Sequence, residues 1–285
     1  MEIKIIGIVG AGVMGGGIAL NLAETGHDVI LVDLTPEILN RAKAGIKENI
    51  RLQTLLQKRD YFENPDKILA RISFSTNYEL FKKADFVVES VTERWEVKKE
   101  VYPKIDRICP DHCIFASNTS AIPIARLASL TERATQVIGM HFMNPAPLTS
   151  TVEVIPGPHT SEETVEKAKK LLHQMGKEGI EVNDSPGFVT TRVLMVTINE
   201  AIFLLQEQVT TAKDVDRIFK TCFGHRMGPL ETADLIGLDT ILYSLNVLYD
   251  SFNNSKYRPC PLLKKMVAAG KYGRKSGQGF YNYSV

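Results

Sequence analysis

The chain opens with an apolar stretch, IKIIGIVG, that runs into a segment crowded with glycine, GAGVMGGGIA. Gly10, Gly12 and Gly15 fall in the spacing G-x-G-x-x-G, between a strand pattern and a helix pattern. A second apolar run, DVILVD, ends in Asp33. Few short patterns leave a chain so little choice: strand, tight turn, helix, parallel strand. Glycines let the backbone approach a pyrophosphate, and free N–H groups at the helix start receive its negative charge. An acid about 20 residues further on accepts hydrogen bonds from the adenosine ribose hydroxyls. Asp33 would repel a 2′-phosphate, and Leu34-Thr35 supplies no adjacent arginine to relieve that. The reading is a dinucleotide site that takes NAD rather than NADP.

The rest of the chain continues the alternation. RISFS, ADFVVES, HCIFASN, TQVIGMHF, STVEVIP and EGIEVN read as further short strands, several followed by helical stretches. A long charged helix begins near Pro36 and runs toward Lys58. Strands alternating with helices imply an α/β, Rossmann-like, doubly wound and mostly parallel sheet. After Pro186 the strand signal stops. Helical periodicity then runs over Phe188 to Leu205, Ala212 to Cys222, Leu230 to Leu235, Leu238 to Tyr249 and Pro261 to Ala269. The expected division is an NAD-binding domain over 1–185 and an all-helical C-terminal domain over 186–285.

Composition excludes several classes. With 34 Lys+Arg against 33 Asp+Glu the chain has no basic excess, and no arginine-rich patch that would suit nucleic acid. No apolar run approaches the ~18 residues of a membrane span. The N-terminal run is broken by glycines and reads as a strand, not a signal peptide. Cys109, Cys113, Cys222 and Cys260 are too scattered for a disulfide framework. Cys109, His112 and Cys113 cluster without a second ligand pair, so no metal is expected. The default location is the cytoplasm.

His141 and Glu153 are the candidates for chemistry. The imidazole ends an apolar run, GMHF, and the carboxylate interrupts Val152, Val154 and Ile155; neither suits a strand by propensity. Removing hydride from an alcohol leaves a proton on oxygen, and histidine is the side chain best matched to take it near neutral pH. On adjacent strands, Glu153 would orient the imidazole and favour its protonated form.

The segments GAGVMGGGIA, SNTS, GMHFMNP, VEVI, SPGF, MGPLETADLIGLD and GRKSGQGFY occur in order along nearly the whole chain. Together they resemble the 3-hydroxyacyl-CoA dehydrogenase family, especially its short bacterial 3-hydroxybutyryl-CoA dehydrogenases. The resemblance implies a homodimer of fatty acid metabolism, its helical domain serving substrate binding and dimerisation. The reaction is NAD-dependent interconversion of a short (S)-3-hydroxyacyl thioester and its 3-oxoacyl thioester. It makes His141 the catalytic base, Glu153 its acidic partner and Ser120 the serine that hydrogen-bonds the substrate oxygen. It also implies that Asn144, Glu93 and Lys98 meet the cofactor.

Two departures bear on the substrate. Thr191 stands where the family's P-G-F-x-x-N-R pattern has a substrate-binding asparagine. Thr149, Ser150 and Thr151 stand where the family has an apolar-then-lysine stretch. One reading is drift among small polar residues. The other is a pocket for a polar acyl group, such as a glyceryl or seryl thioester on a carrier protein in polyketide extender-unit biosynthesis. The thioester carrier, CoA or acyl-carrier protein, is thus left open. A non-catalytic, crystallin-like relative is the alternative of another class; the presence of both His141 and Glu153 speaks against it.

Overall fold

A computed structural model describes residues 3–56 and 64–283. The chain divides into two units, Met1–Asp184 and Ser185–Val285. In the first, eight strands form one sheet: β1 (Ile5–Val9), β2 (Asp28–Val32), β3 (Ile72–Ser75), β4 (Phe86–Glu89), β5 (Ile114–Ser117), β6 (Val137–Phe142), β7 (Thr151–Pro156) and β8 (Glu178–Glu181). Their order is β3-β2-β1-β4-β5-β6-β7-β8. Every pair is parallel except β6 with β7. Strands β1, β2, β4, β5 and β6 are almost wholly buried, which is why they read as continuous apolar runs.

The helices of this unit are α1 (Val13–Glu24), α2 (Pro36–Leu56), α3 (Pro65–Ala70), α4 (Trp95–Ile108), α5 (Ile124–Ala128) and α6 (Glu162–Gln174). The stretch of the α2 pattern toward Lys58 lies outside the described residues. From β1 the chain steps outward to β2 and β3, then returns to place β4 on the other side of β1. The carboxyl ends of β1 and β4 therefore flank a topological switch point, where doubly wound sheets hold their ligands.

The second unit is helical: α7 (Thr190–Gln206), α8 (Ala212–Phe223), α9 (Pro229–Ile236), α10 (Leu238–Phe252) and α11 (Pro261–Ala268). Helix α7 begins two residues later than the apolar periodicity suggests. Gly187 and Phe188 have φ of 78° and 45°, in the left-handed region, so the helix cannot include them. A core of Ile198, Ile202, Leu230, Ile241, Leu245, Leu248 and their neighbours joins the helices. Two buried carboxylates tie in the C-terminal segment. Asp234 accepts the N–H groups of Phe280 and Tyr281 and the hydroxyl of Tyr283, and Asp216 accepts the hydroxyl of Tyr281.

Candidate active site

The three glycines of the N-terminal motif answer to three different demands. Gly10 has φ of 101°, and a Cβ there would stand 2.5 Å from the carbonyl oxygen of Ser90, after β4. A Cβ on Gly15 would stand 1.8 Å from the carbonyl oxygen of Gly10, so only glycine lets α1 lie against the turn. A Cβ on Gly12 would meet nothing within 4 Å. Nothing in the fold requires glycine at 12, and the position faces open space. The first turn of α1 carries no acidic side chain, so its N–H groups are not opposed.

A cavity of about 1020 Å³ opens on this turn. Gly10, Gly12, Asp33 and Leu34 line it, with Ser90, Val91, Thr92 and Arg94, and with Ile38 and Ala42 of α2. Asp33 accepts the N–H of Ala11 and that of Leu34, each at 2.6 Å, which fixes its carboxylate at the end of β2. An open backbone cradle, unopposed N–H groups and a fixed carboxylate fit a dinucleotide.

The chemical residues lie at the far end of β5 and on β6 and β7. His141 and Glu153 are direct cross-strand partners in the antiparallel pair, and each is 5 % exposed. His141 Nδ1 and Glu153 Oε2 are 2.7 Å apart; Ser120 Oγ lies 3.0 Å from the other ring nitrogen, Nε2. An ionised Glu153 accepts from Nδ1, so the neutral ring keeps its proton there and leaves Nε2 basic. Ser120, His141 and Glu153 thus form one line of hydrogen bonds.

Glu93 holds the serine in place. Its Oε1 accepts the N–H of Ser120 and of Ala121, each at 3.0 Å, and the hydroxyl of Thr119. Burial pushes the Glu93 carboxyl up, but the charge of Lys98 and these donors outweigh it and hold it below the usual glutamate range. Lys98 lies inside the same cluster. Only 1 % of it is exposed, and its ammonium lies 2.8 Å from both oxygens of Glu89 and 3.4 Å from Glu93. So enclosed, it balances two carboxylates. Burial lowers the Lys98 ammonium, and Glu89 and Glu93 more than reverse this, raising it.

Glu89 itself is fully buried and also accepts from Ser117 Oγ at 2.7 Å and from the N–H of Val91 at 2.9 Å. It was not among the sequence candidates, although a carboxylate closing the apolar run FVVE is the same signal that marks Glu153. Asn118 was missed too. Its Oδ1 accepts the N–H of Phe142, beside His141, and its amide donates to Ser90 on the cavity wall. Asn144 is exposed in the loop after β6.

Thr149 donates to the carbonyls of Met143 and Ala146, and Lys177 donates to those of Ala146 and Thr149. The Thr149 hydroxyl is satisfied inside its own loop. Thr191 belongs to the second unit, 9 % exposed on the first turn of α7. Among the described residues no group of three or more His, Cys, Asp or Glu could hold a metal ion, and no helix is long and apolar enough to cross a membrane.

A glycine cradle at a sheet switch point, beside a histidine–carboxylate pair, defines a nicotinamide-dependent dehydrogenase. Residues 5–185 match the profile of the 3-hydroxyacyl-CoA dehydrogenase NAD binding domain, and residues 187–283 that of the 3-hydroxyacyl-CoA dehydrogenase C-terminal domain. The chain belongs to the 3-hydroxyacyl-CoA dehydrogenase family and is an NAD-dependent 3-hydroxyacyl thioester dehydrogenase. It is 47 % identical over 283 residues to a probable 3-hydroxybutyryl-CoA dehydrogenase of Bacillus subtilis, covering 99 % of this chain and 98 % of that one. It is 38 % identical over 290 residues to the mitochondrial hydroxyacyl-coenzyme A dehydrogenase of Sus scrofa, covering 99 % and 91 %. Among solved structures, the (S)-3-hydroxybutyryl-CoA dehydrogenase of Ralstonia eutropha matches with a TM-score of 0.91 at 43 % identity, over 100 % of both chains.

Proposed function

We propose that the chain interconverts a short (S)-3-hydroxyacyl-CoA, of the 3-hydroxybutyryl class, and its 3-oxoacyl-CoA, with His141 as the base. The hydrogen-bonded line of Ser120, His141 and Glu153 carries this reading. When bound, NAD supplies what side chains lack, an acceptor for the hydride of C3. Nε2 of His141 takes the proton of the substrate hydroxyl. Glu153 keeps Nδ1 protonated and stabilises the imidazolium that forms. Ser120 donates to the substrate oxygen from within reach of Nε2. In the reverse direction the same imidazolium returns its proton to the oxygen of the reduced substrate.

The names of the relatives support a four-carbon acyl group on CoA. No observation favours a polar carrier-protein substrate, since Thr149 needs no ligand to satisfy its hydroxyl. Gly10, Gly12 and the first turn of α1 hold the pyrophosphate, Asp33 holds the adenosine ribose, and Asn144 meets the cofactor. Thr191 and the helical domain contribute to substrate binding, and that domain pairs two copies into a homodimer. Four unpaired cysteines suit a cytoplasmic enzyme. The test is the NADH absorbance band with acetoacetyl-CoA. NADH should be consumed much faster than NADPH; equal use of both would refute the role given to Asp33, and use of neither would refute the reaction.

A further inference from the structure

The segment from Ser120 to Ala125 leads from the serine that meets His141 into α5. Five of its six residues carry a backbone N–H, Pro123 being the exception. Ser120 and Ala121 direct theirs at Glu93 Oε1, each at 3.0 Å, and Ile122 gives its N–H to Thr119 Oγ1 at 2.9 Å, with Glu93 Oε1 at 3.4 Å; the Thr119 hydroxyl in turn donates to Glu93 Oε1. Ile124 and Ala125 give theirs to Oδ1 and Oδ2 of Asp184, each at 3.0 Å. Every N–H of the segment is thus held by Glu93 or Asp184, directly or, for Ile122, chiefly through the Thr119 hydroxyl, and donors to an ionised acceptor form the stronger class of hydrogen bond.

Asp184 is far from this segment in sequence, and what brings it there is the sheet. Strand β8 pairs in parallel with β7, and the N–H of Val182 extends that pairing to the carbonyl of Val154 at 2.9 Å. Val154 follows Glu153. The strand that carries the acid of the dyad thus sets the place of Asp184, and Asp184 in turn sets the place of the serine segment. Glu93 fixes that segment's upstream half and Asp184 its downstream half.

From this geometry we infer that Asp184 is a positioning residue, holding Ser120 Oγ on His141 Nε2 through the 120–125 segment. The inference rests on the roles proposed for Ser120 and His141. Residues 120–125 are not among those lining the glycine-turn cavity, so NADH affinity there is expected to be unchanged by loss of Asp184. Arg126 of α5 lies 3.7 Å over the ring of Trp95, the only tryptophan of the chain, which makes indole emission a reporter of the segment.

The experiment compares wild type, Asp184→Ala, Ser120→Ala and the double variant, by kcat and KM for acetoacetyl-CoA reduction with NADH. Small misplacements of reacting groups cost up to ~10²-fold. Asp184→Ala is expected to lower kcat roughly tenfold, to leave calorimetric NADH affinity unchanged and to alter Trp95 emission. It should cost nothing further when Ser120 is already alanine. Asp184→Asn, which keeps one accepting oxygen, should recover part of kcat. An equal loss in both backgrounds, an unchanged kcat, or unchanged Trp95 emission would overturn the inference. So would failure of both the Ala and Asn variants to fold, which would assign Asp184 to folding alone. If Ser120→Ala keeps full turnover, the proposed role of Ser120 falls and this inference with it; if Ser120→Ala is impaired but the cycle is additive, only the inference falls.

Discussion

At the residue scale, a serine, a histidine and a glutamate are asked to do separable things. Ser120→Ala removes one hydrogen bond to the reacting oxygen, and its kcat should fall with little change in melting temperature, read by calorimetry beside initial rates. Asp33→Ala should weaken NADH use and narrow the gap to NADPH, because it removes both the ribose acceptor and the charge that repels a 2′-phosphate. The measurement is kcat/KM with each cofactor; a preference left as wide as before would remove Asp33 from the account. His141, Glu153, Asp33 and the glycines were legible as residues because each breaks its context: an imidazole or carboxylate in an apolar run, glycine in a helix start. Glu89 breaks its context in the same way but gives a weaker signal, because it closes its strand instead of interrupting it. Asn118 and Asp184 gave no such signal. An asparagine in a turn and an aspartate before a serine and proline are ordinary loop residues until the sheet shows what they reach.

At the scale of elements, the β1–α1 turn separates fold from function within six residues. Gly15→Ala would press a Cβ against the Gly10 carbonyl at 1.8 Å, so loss of soluble protein or a steep drop in melting temperature is expected. Gly12→Ala meets nothing within 4 Å and Gly12 already has φ of −68°, so the fold should stand while NADH affinity falls. Thermal melts and NADH titrations of the two variants check this contrast, and a Gly12→Ala enzyme with wild-type affinity would mean that the cradle holds no phosphate. Strands β1, β2, β4, β5 and β6 were readable because burial on both faces makes them continuous apolar runs. The antiparallel turn from β6 to β7 was not readable, since a register is set by tertiary pairing. Yet that register is what places His141 opposite Glu153.

At the scale of the whole molecule, the buried cluster of Glu89, Lys98 and Glu93 ties stability to pH from both sides. The folded Glu93 carboxyl lies below its unfolded value, so its contribution is complete above that unfolded value and is lost as pH falls through the folded one. Lys98 lies above its unfolded value, so its contribution is complete below that value and is lost as pH rises through the folded one. Lys98→Met should cost about 3–5 kcal/mol near neutrality, by stranding Glu89, and should flatten the alkaline limb of a stability–pH curve from denaturant melts. A variant as stable as wild type would show that the cluster is not coupled to folding. Assembly is checked by light scattering, where the proposed homodimer should return twice the chain mass of 31.7 kDa. The central claim is that His141, backed by Glu153, moves the proton while the cofactor site stands apart from it. The direct measurement is single-turnover reduction of acetoacetyl-CoA by NADH in His141→Ala, with NADH affinity determined on the same preparation. The account predicts a rate lower by ~10²–10⁴-fold with affinity retained; a rate near that of wild type would contradict it.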